Sequence, residues 1–187
     1  MKSIKELWEK LDKVELVQVR PEEMEPMYRH CFEFNKPRIV EIGSAHGASS
    51  IIFSEAVREL GGHLTCIDSY PENYYNQEKF GSYAKRQFLK NIKPYNEFVT
   101  FINMPSEEAV KELLPLKISI LFIDGSHEYK DVANDCKNYL PFLASGGYVG
   151  FHDYNNVAFD GVKKAADEYT TGWESESYWD LVIRKKP

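Results

Sequence analysis

Long apolar runs are missing from this 187-residue chain, and no stretch approaches the roughly 20 residues that span a bilayer. No membrane partner is therefore expected. An excess of basic charge is missing too. The 23 Lys and Arg stand against 29 Asp and Glu, a net charge of −6, which gives no electrostatic footprint for nucleic acid or an anionic surface. Cysteine is scarce: Cys31, Cys66 and Cys136 lie far apart and form no CxxC pair. That usage points to reduced, mostly buried thiols in a cytoplasmic protein. The first fifteen residues, MKSIKELWEKLDKVE, are amphipathic and charged, unlike the continuous apolar segment of a signal peptide. Internal repeats, low-complexity tracts and interdomain linkers are also lacking.

What is present is ordinary for a globular protein: 43% hydrophobic and 28% charged residues, in a length that suits one full core. Ile4, Leu7, Trp8, Leu11 and Val14 follow helical spacing and predict an amphipathic helix over 3–14. Pro21 suits the first turn of a second helix, with Met24, Met27, Tyr28 and Cys31 on one face. The pattern then alternates. Short apolar strands are expected at 38–43, 63–68, 98–103, 118–124 and 147–153. Helices are expected at 48–60, 77–92, 106–114 (with Ser106 as N-cap), 128–143 and 157–169. Such alternation means parallel strands joined by right-handed crossovers, an α/β doubly wound sheet. The tail, GWESESYWDLVIRKKP, reads as two strands with no intervening helix, hence an antiparallel hairpin at one edge.

In such a sheet, ligands bind beyond the carboxyl ends of the strands, at the point where strand order reverses. The first strand delivers VEIGSAHGASS there. Gly43 and Gly47 allow a tight turn, but Ala45 and Ala48 spoil the GxGxxG dinucleotide pattern. Glu41 opposes a pyrophosphate and favours a ligand carrying an ammonium or sulfonium. Asp68 ends the second strand where a carboxylate receives ribose hydroxyls. Met104, Pro105 and Ser106 could flank an adenine. A ligand with a ribose and a cation but no phosphate is S-adenosylmethionine. Glu41 could instead pair with a basic side chain, leaving the glycines only to shape a turn.

The fourth strand runs into LFIDGSHEYKD and the fifth ends in His152-Asp153. Adjacent parallel strands lie about 4.8 Å apart, so Asp124, His152 and Asp153 can converge. Such a set can hold a hard divalent cation that lowers the pKa of a substrate hydroxyl. His127 divides between shaping its loop, contacting cofactor and serving as base. His46 reads as part of the glycine turn; His30 and His63 read as structural. Tyr70, Tyr74, Tyr75, Phe80 and Tyr83 form either a cover over the site or an ordinary helix packed on the sheet.

Three segments, IVEIGSAHGASS, CIDSY and LFIDGSHEYKDVANDCKNYLPFLASGGYVGFHDY, resemble the class I S-adenosylmethionine-dependent methyltransferases, in the methyltransferase domain 24 group. The resemblance spans about residues 36 to 184. It implies a Rossmann-like sheet of seven strands with the last antiparallel, and a methyltransferase domain over 36–187 behind an N-terminal helical extension over 1–35. The cofactor set it implies is Glu41, Gly43, Ser44, His46, Gly47, Asp68, Ser69, Pro105, Ser106 and Asp124. Catalytic candidates are Asp124, His127 and Asp153; candidates for a metal such as Mg²⁺ are Asp124, His152 and Asp153. The sequence departs from the group in having Ala45 for the middle glycine of the loop and His152-Asp153 in place of an Asp-Asp or Asp-Asn pair.

The leading expectation is methyl transfer to a hydroxyl of a small molecule or glycan. Two other classes compete: a metal-dependent hydrolase using Asp124, His127, His152 and Asp153, and a non-catalytic nucleoside-binding module. The N-terminal helices, through Trp8, Leu11 and Met24, are expected either to cover the site or to form a homodimer.

Overall fold

A computed structural model describes residues 1–72, 80–113 and 117–187. Among these, β1 (Arg38–Ile42), β2 (His63–Ile67), β3 (Val99–Ile102), β4 (Ile118–Ile123), β5 (Leu143–Phe151), β6 (Glu174–Tyr178) and β7 (Leu181–Lys185) form one sheet, in the order β3-β2-β1-β4-β5-β7-β6. The pairs from β3 to β5 are parallel, and β7 runs antiparallel to both β5 and β6. The helices are α1 (Ile4–Trp8), α2 (Pro21–Cys31), α3 (Ala48–Leu60), α4 (Phe80–Ile92), α5 (Ser106–Ala109), α6 (Tyr129–Tyr139) and α7 (Asp160–Tyr169). No described helix is long and apolar enough to cross a membrane.

The strands are apolar at successive positions because helices cover both faces. Alternate side chains divide between two core layers. Ile39, Cys66, Ile120 and Phe122 pack with Phe53 of α3, Phe88 of α4 and Met24 and Met27 of α2. Val40, Leu121, Ile123 and Phe151 pack with Val132 and Tyr139 of α6 and Val162 of α7. The winding reverses between β1 and β4, so the carboxyl ends of these two strands flank the ligand-binding crevice of this architecture.

Several boundaries differ from expectation. Helix α1 starts at a Ser3–Glu6 capping box but stops at Trp8. Lys10, Leu11 and Val14 then donate to carbonyls three residues back, and these tight turns still bring Leu11 and Val14 into the core. The N-cap of α5 is Pro105, not Ser106. After four residues that helix tightens into a 3-10 turn, Val110–Leu113, and Leu114 lies outside the described residues. Helix α6 ends at Tyr139, where Pro141 sits in a short 3-10 turn, and β5 accordingly begins at Leu143. Leu11 and Met24, proposed above as cover or dimer contacts, are buried in the chain's own core, and Trp8 packs against it.

Gly43 is the most crowded of the glycines. Its φ is +85°, and a Cβ placed on it would fall inside the backbone of Asp124 and Gly125. Gly43→Ala combines left-handed strain of about 1–2 kcal/mol with a backbone overlap that no rotamer relieves. The variant is expected to lose more than about 2 kcal/mol in urea unfolding, or to fail to fold; an unchanged midpoint would contradict this packing.

Candidate active site

The turn from β1 into α3 is held from beside it. Asp68, just past β2, accepts hydrogen bonds from the amides of Ser44 at 2.9 Å and Ala45 at 3.1 Å, and from that of Tyr70 at 2.8 Å. The Tyr70 hydroxyl donates back to the Ala45 carbonyl at 2.8 Å. These bonds offset the strain of Ala45 (φ 41°) and Tyr70 (φ 48°), two non-glycine residues at positive φ. A carboxylate has about four acceptor positions, so Asp68 keeps capacity for a ligand on the cleft it lines.

Glu41 corrects the sequence reading. It is 0% exposed and presents no atom to a ligand. Its carboxylate accepts from the hydroxyls of Ser44, Ser49 and Ser50, pinning the start of α3 to β1. Burial pushes its pKa up, against those hydrogen bonds. At the strand ends, Asp68 lines the larger cleft and Asp124 the smaller cavity instead.

Two cavities lie at the carboxyl ends of the strands. The larger, about 610 Å³, is lined by Gly43, Asp68, Ser69, Met104, Pro105 and Ser106 on one side and by Gly125, His127 and residues of α6 on the other. Its floor includes Asp135, which no sequence argument singled out. Asp135 is 3% exposed and accepts the hydroxyl of Ser106, and burial pushes its pKa up to about 7. Ser106 is thus fixed by a buried carboxyl rather than serving as an N-cap.

The smaller cavity, about 150 Å³, is lined by Gly43, Ser44, Ala45, His46, Ala48 and Ser49, and across from them by Asp124, His127, His152 and Asp153. Leu16, Gln18 and Val19 from the N-terminal segment complete its wall. His152 is 7% exposed. Its Nδ1 lies 3.2 Å from Asp124 and 3.2 Å from Asp153, and its Nε2 lies 3.3 Å from Glu23. Burial alone would lower the imidazole pKa, but the three carboxylates outweigh it and hold it well above the usual value. Burial would raise Asp153, but bonds from His127 and His152 hold it below the ordinary carboxylate range. Asp153 adopts φ 60°, which aspartate tolerates better than most residues. His127 Nε2 lies 3.0 Å from Asp153, and its ring stacks on Phe159 at 3.8 Å.

Glu23 was invisible to the sequence reading. It sits in the first turn of α2, where an acidic residue is commonplace, yet it is 1% exposed and reaches a partner 129 positions away. The donor set fits a divalent cation. One oxygen each from Asp124 and Asp153 and a nitrogen of His152 lie within 4.8 Å of one another, and Glu23 stands where it can take the other ring N–H and orient the ligand. The two cavities share Gly43, His127 and Phe159.

The other predicted residues are placed as follows. His46 lies in the smaller cavity, stacked near Phe80 and edge-on to Tyr83. His63 contacts Thr100, and His30 contacts Glu33 and stacks on Tyr148. Tyr70 is packed in the core, while Tyr74 and Tyr75 lie outside the described residues.

In metal-free protein the His152 ring carries its proton at neutral pH, because its pKa is raised. Its NMR resonances, assigned with His152→Gln, are expected to stay flat from about pH 6 to 8, where free imidazole titrates. A midpoint near the ordinary imidazole value would contradict the charge assignment.

An uncharacterized protein of Acanthamoeba polyphaga mimivirus is 33% identical over 134 residues, covering 68% of this chain and 56% of its own length. One from Sinorhizobium fredii is 29% identical over 119 residues, 62% of this chain and 13% of its own length. The chain thus spans about half or less of the curated relatives it matches. Among solved structures, the O-methyltransferase NovP superposes with a TM-score of 0.70 at 18% identity, over 87% of this chain and 78% of its own. A calicheamicin-biosynthesis TDP-rhamnose 3'-O-methyltransferase gives 0.68 at 14%, over 87% and 77%. The adenosylhomocysteine-bound Podospora anserina methyltransferase PaMTH1 gives 0.68 at 17%, over 98% and 86%. These likenesses carry the Rossmann-like methyltransferase fold. Residues 40–154, from β1 to just past β5, match the family described as "Methyltransferase domain", and the chain belongs to that family of class I S-adenosylmethionine-dependent methyltransferases.

Proposed function

We propose that this chain methylates a hydroxyl oxygen of a small molecule or a sugar or glycan, with S-adenosylmethionine as donor. One observation carries the reading: the nucleoside-sized cleft and the carboxylate–imidazole cluster meet at Gly43, His127 and Phe159. In this reading Asp68 receives the ribose hydroxyls, and Ser69, Met104, Pro105 and Ser106 border the adenine. S-adenosylmethionine supplies an electrophilic methyl group, and the sulfur keeps the electron pair of the broken C–S bond, leaving adenosylhomocysteine.

The chain's own part is positioning and proton removal. His127 faces both cavities, so an acceptor hydroxyl beside it can pass its proton to the ring as the oxygen attacks the methyl carbon. Asp153, at 3.0 Å from Nε2, orients that ring and stabilises it once charged. Phe159, stacked on its face, fixes the plane. Asp124, His152 and Asp153 would hold a divalent cation such as Mg²⁺, which would lower the hydroxyl's pKa. That NovP is an O-methyltransferase and the calicheamicin-biosynthesis enzyme a TDP-rhamnose 3'-O-methyltransferase supports a hydroxyl acceptor. Three buried free cysteines accord with a cytoplasmic setting.

The test is methyl transfer from labelled adenosylmethionine to a panel of sugar and phenolic hydroxyls, with and without Mg²⁺. At least one acceptor is expected to be methylated. No turnover across a broad panel, with intact nucleoside binding, would favour the binding-module reading. His127→Gln is expected to lower turnover about 100-fold or more while leaving adenosylhomocysteine affinity nearly unchanged, and Asp124→Asn is expected to lower turnover at least as far. Unaltered turnover in either variant removes that residue from the mechanism.

A further inference from the structure

A third cavity, about 470 Å³, lies at the amino ends of the strands, opposite the active site. Arg38 and His63 begin β1 and β2 there, in register with each other. On the face toward α3 and α4 these strands stay apolar through Ile39, Leu64 and Cys66. On the other face Val40 and Ile67 belong to the second core layer, but the positions that continue it are Arg38, His63, Thr65 and Thr100. The cover over this face is short. Helix α5 has four residues and passes straight into the 3-10 turn, whose Glu112 and Leu113 border the cavity. A polar strip of sheet is therefore left under a cavity of ligand size.

Thr65 is 7% exposed, and its hydroxyl has no hydrogen-bond partner among the described residues. Leaving a buried hydroxyl unpaired is costly, yet this one lines the cavity. His63 Nε2 lies 2.8 Å from the Thr100 hydroxyl. Burial, and then the Arg38 charge, push the His63 pKa down, so the ring is neutral and Lys36 and Arg38 supply the positive charge. Neither makes an ion pair among the described residues, nor does Glu112. Both cations are fixed by the backbone between them. The His63 amide donates to the Pro37 carbonyl at 2.9 Å, and a Cβ on Gly62 would collide with that carbonyl oxygen. Lys36 itself is held at φ 53°, a conformation costly for a residue with a Cβ.

We propose that this cavity binds a small, hydroxyl-bearing phosphate ester, the chemistry of a sugar phosphate. The phosphate group lies between Lys36 and Arg38, whose guanidinium fork matches two of its oxygens. The Thr65 hydroxyl donates to it from the floor. Glu112, across from the cations, accepts from a hydroxyl of the ligand body and would repel a second anion. Ile102 and Leu113 give that body apolar contact. Strands β1 and β2 are each five residues long, which puts the cavity about 15 Å from the cofactor cleft. The ligand therefore competes with neither cofactor nor acceptor, and the proposal does not depend on methyl transfer.

The test is titration of the native protein with glucose 6-phosphate, inorganic phosphate and glucose, read by calorimetry and by the ring resonances of His63, assigned with His63→Gln. Glucose 6-phosphate is expected to bind more tightly than inorganic phosphate, and glucose not to bind. A bound phosphate stabilises the charged imidazole, so the His63 midpoint moves up in the native protein, a readout free of any folding defect. Arg38→Gln alters an exposed side chain and is expected to lower affinity for the ester about tenfold or more, with adenosylhomocysteine binding unchanged. Thr65→Val keeps the volume and the strand preference but deletes the hydroxyl, and is expected to weaken the ester about fivefold. Saturating adenosylhomocysteine leaves the titration unaltered. No binding of either phosphate compound at millimolar concentration, or affinity indifferent to both Arg38→Gln and Lys36→Gln, overturns the proposal. So does displacement of the ester by adenosylhomocysteine, which would place it in the cofactor cleft. Arg38-dependent binding of the ester to a protein that takes no adenosylhomocysteine would uphold this site and count against methyl transfer instead.

Discussion

The site depends on one steric constraint, the absence of a side chain at Gly43. Strand β1 lies between β2 and β4, and the backbone bonds continue past its end. The Gly43 amide donates to Ile67, and the Asp124 amide donates to Ile42 at 2.8 Å. The chain leaving β1 must therefore turn while pressed against the chain leaving β4. Only a residue without Cβ, at positive φ, fits between them. That turn then lies within reach of Asp68 on one side and against Asp124 on the other. The nucleoside-sized cleft and the acidic cluster share a wall because of it.

The second organising feature is charge. Asp124, Asp153 and Glu23 converge from three distant segments on one imidazole ring. Three carboxylates brought this close to one another without a cation would repel. The His152 proton offsets that repulsion in the metal-free protein, and a divalent ion can do the same only by displacing the proton from Nδ1. Glu23 also makes the N-terminal segment part of the site. Its carboxylate accepts from the amides of Arg20 and Asp180 as well, so α2, the β6–β7 hairpin and the end of β5 are tied together behind the cavity.

Much of the fold was legible in the sequence. The alternation of short apolar strands with amphipathic helices is a local signal, and α3 ends where Gly61-Gly62 ends its pattern. The hairpin was readable because no helical segment separates its strands. Asp68, Asp124 and Asp153 stood out because each follows an apolar strand. Glu23 and Asp135 did not, because a polar residue in an amphipathic helix looks solvent-facing until a distant partner buries it. Glu41 misled for a related reason: its position beside the glycine turn is local, while its burial depends on Ser44 of the turn and on Ser49 and Ser50 of the helix that follows. Ser106 reads as a natural N-cap, yet Asp135, 29 residues on, claims its hydroxyl.

The central claim is that the cleft beside Gly43 receives a ribose-bearing ligand without a pyrophosphate. Calorimetric titration of the native protein with adenosylhomocysteine, using NAD as control, tests it most directly. Micromolar binding of adenosylhomocysteine with no heat from NAD is the predicted result. Binding of NAD that adenosylhomocysteine displaces, or no binding of adenosylhomocysteine at any concentration tested, would contradict it.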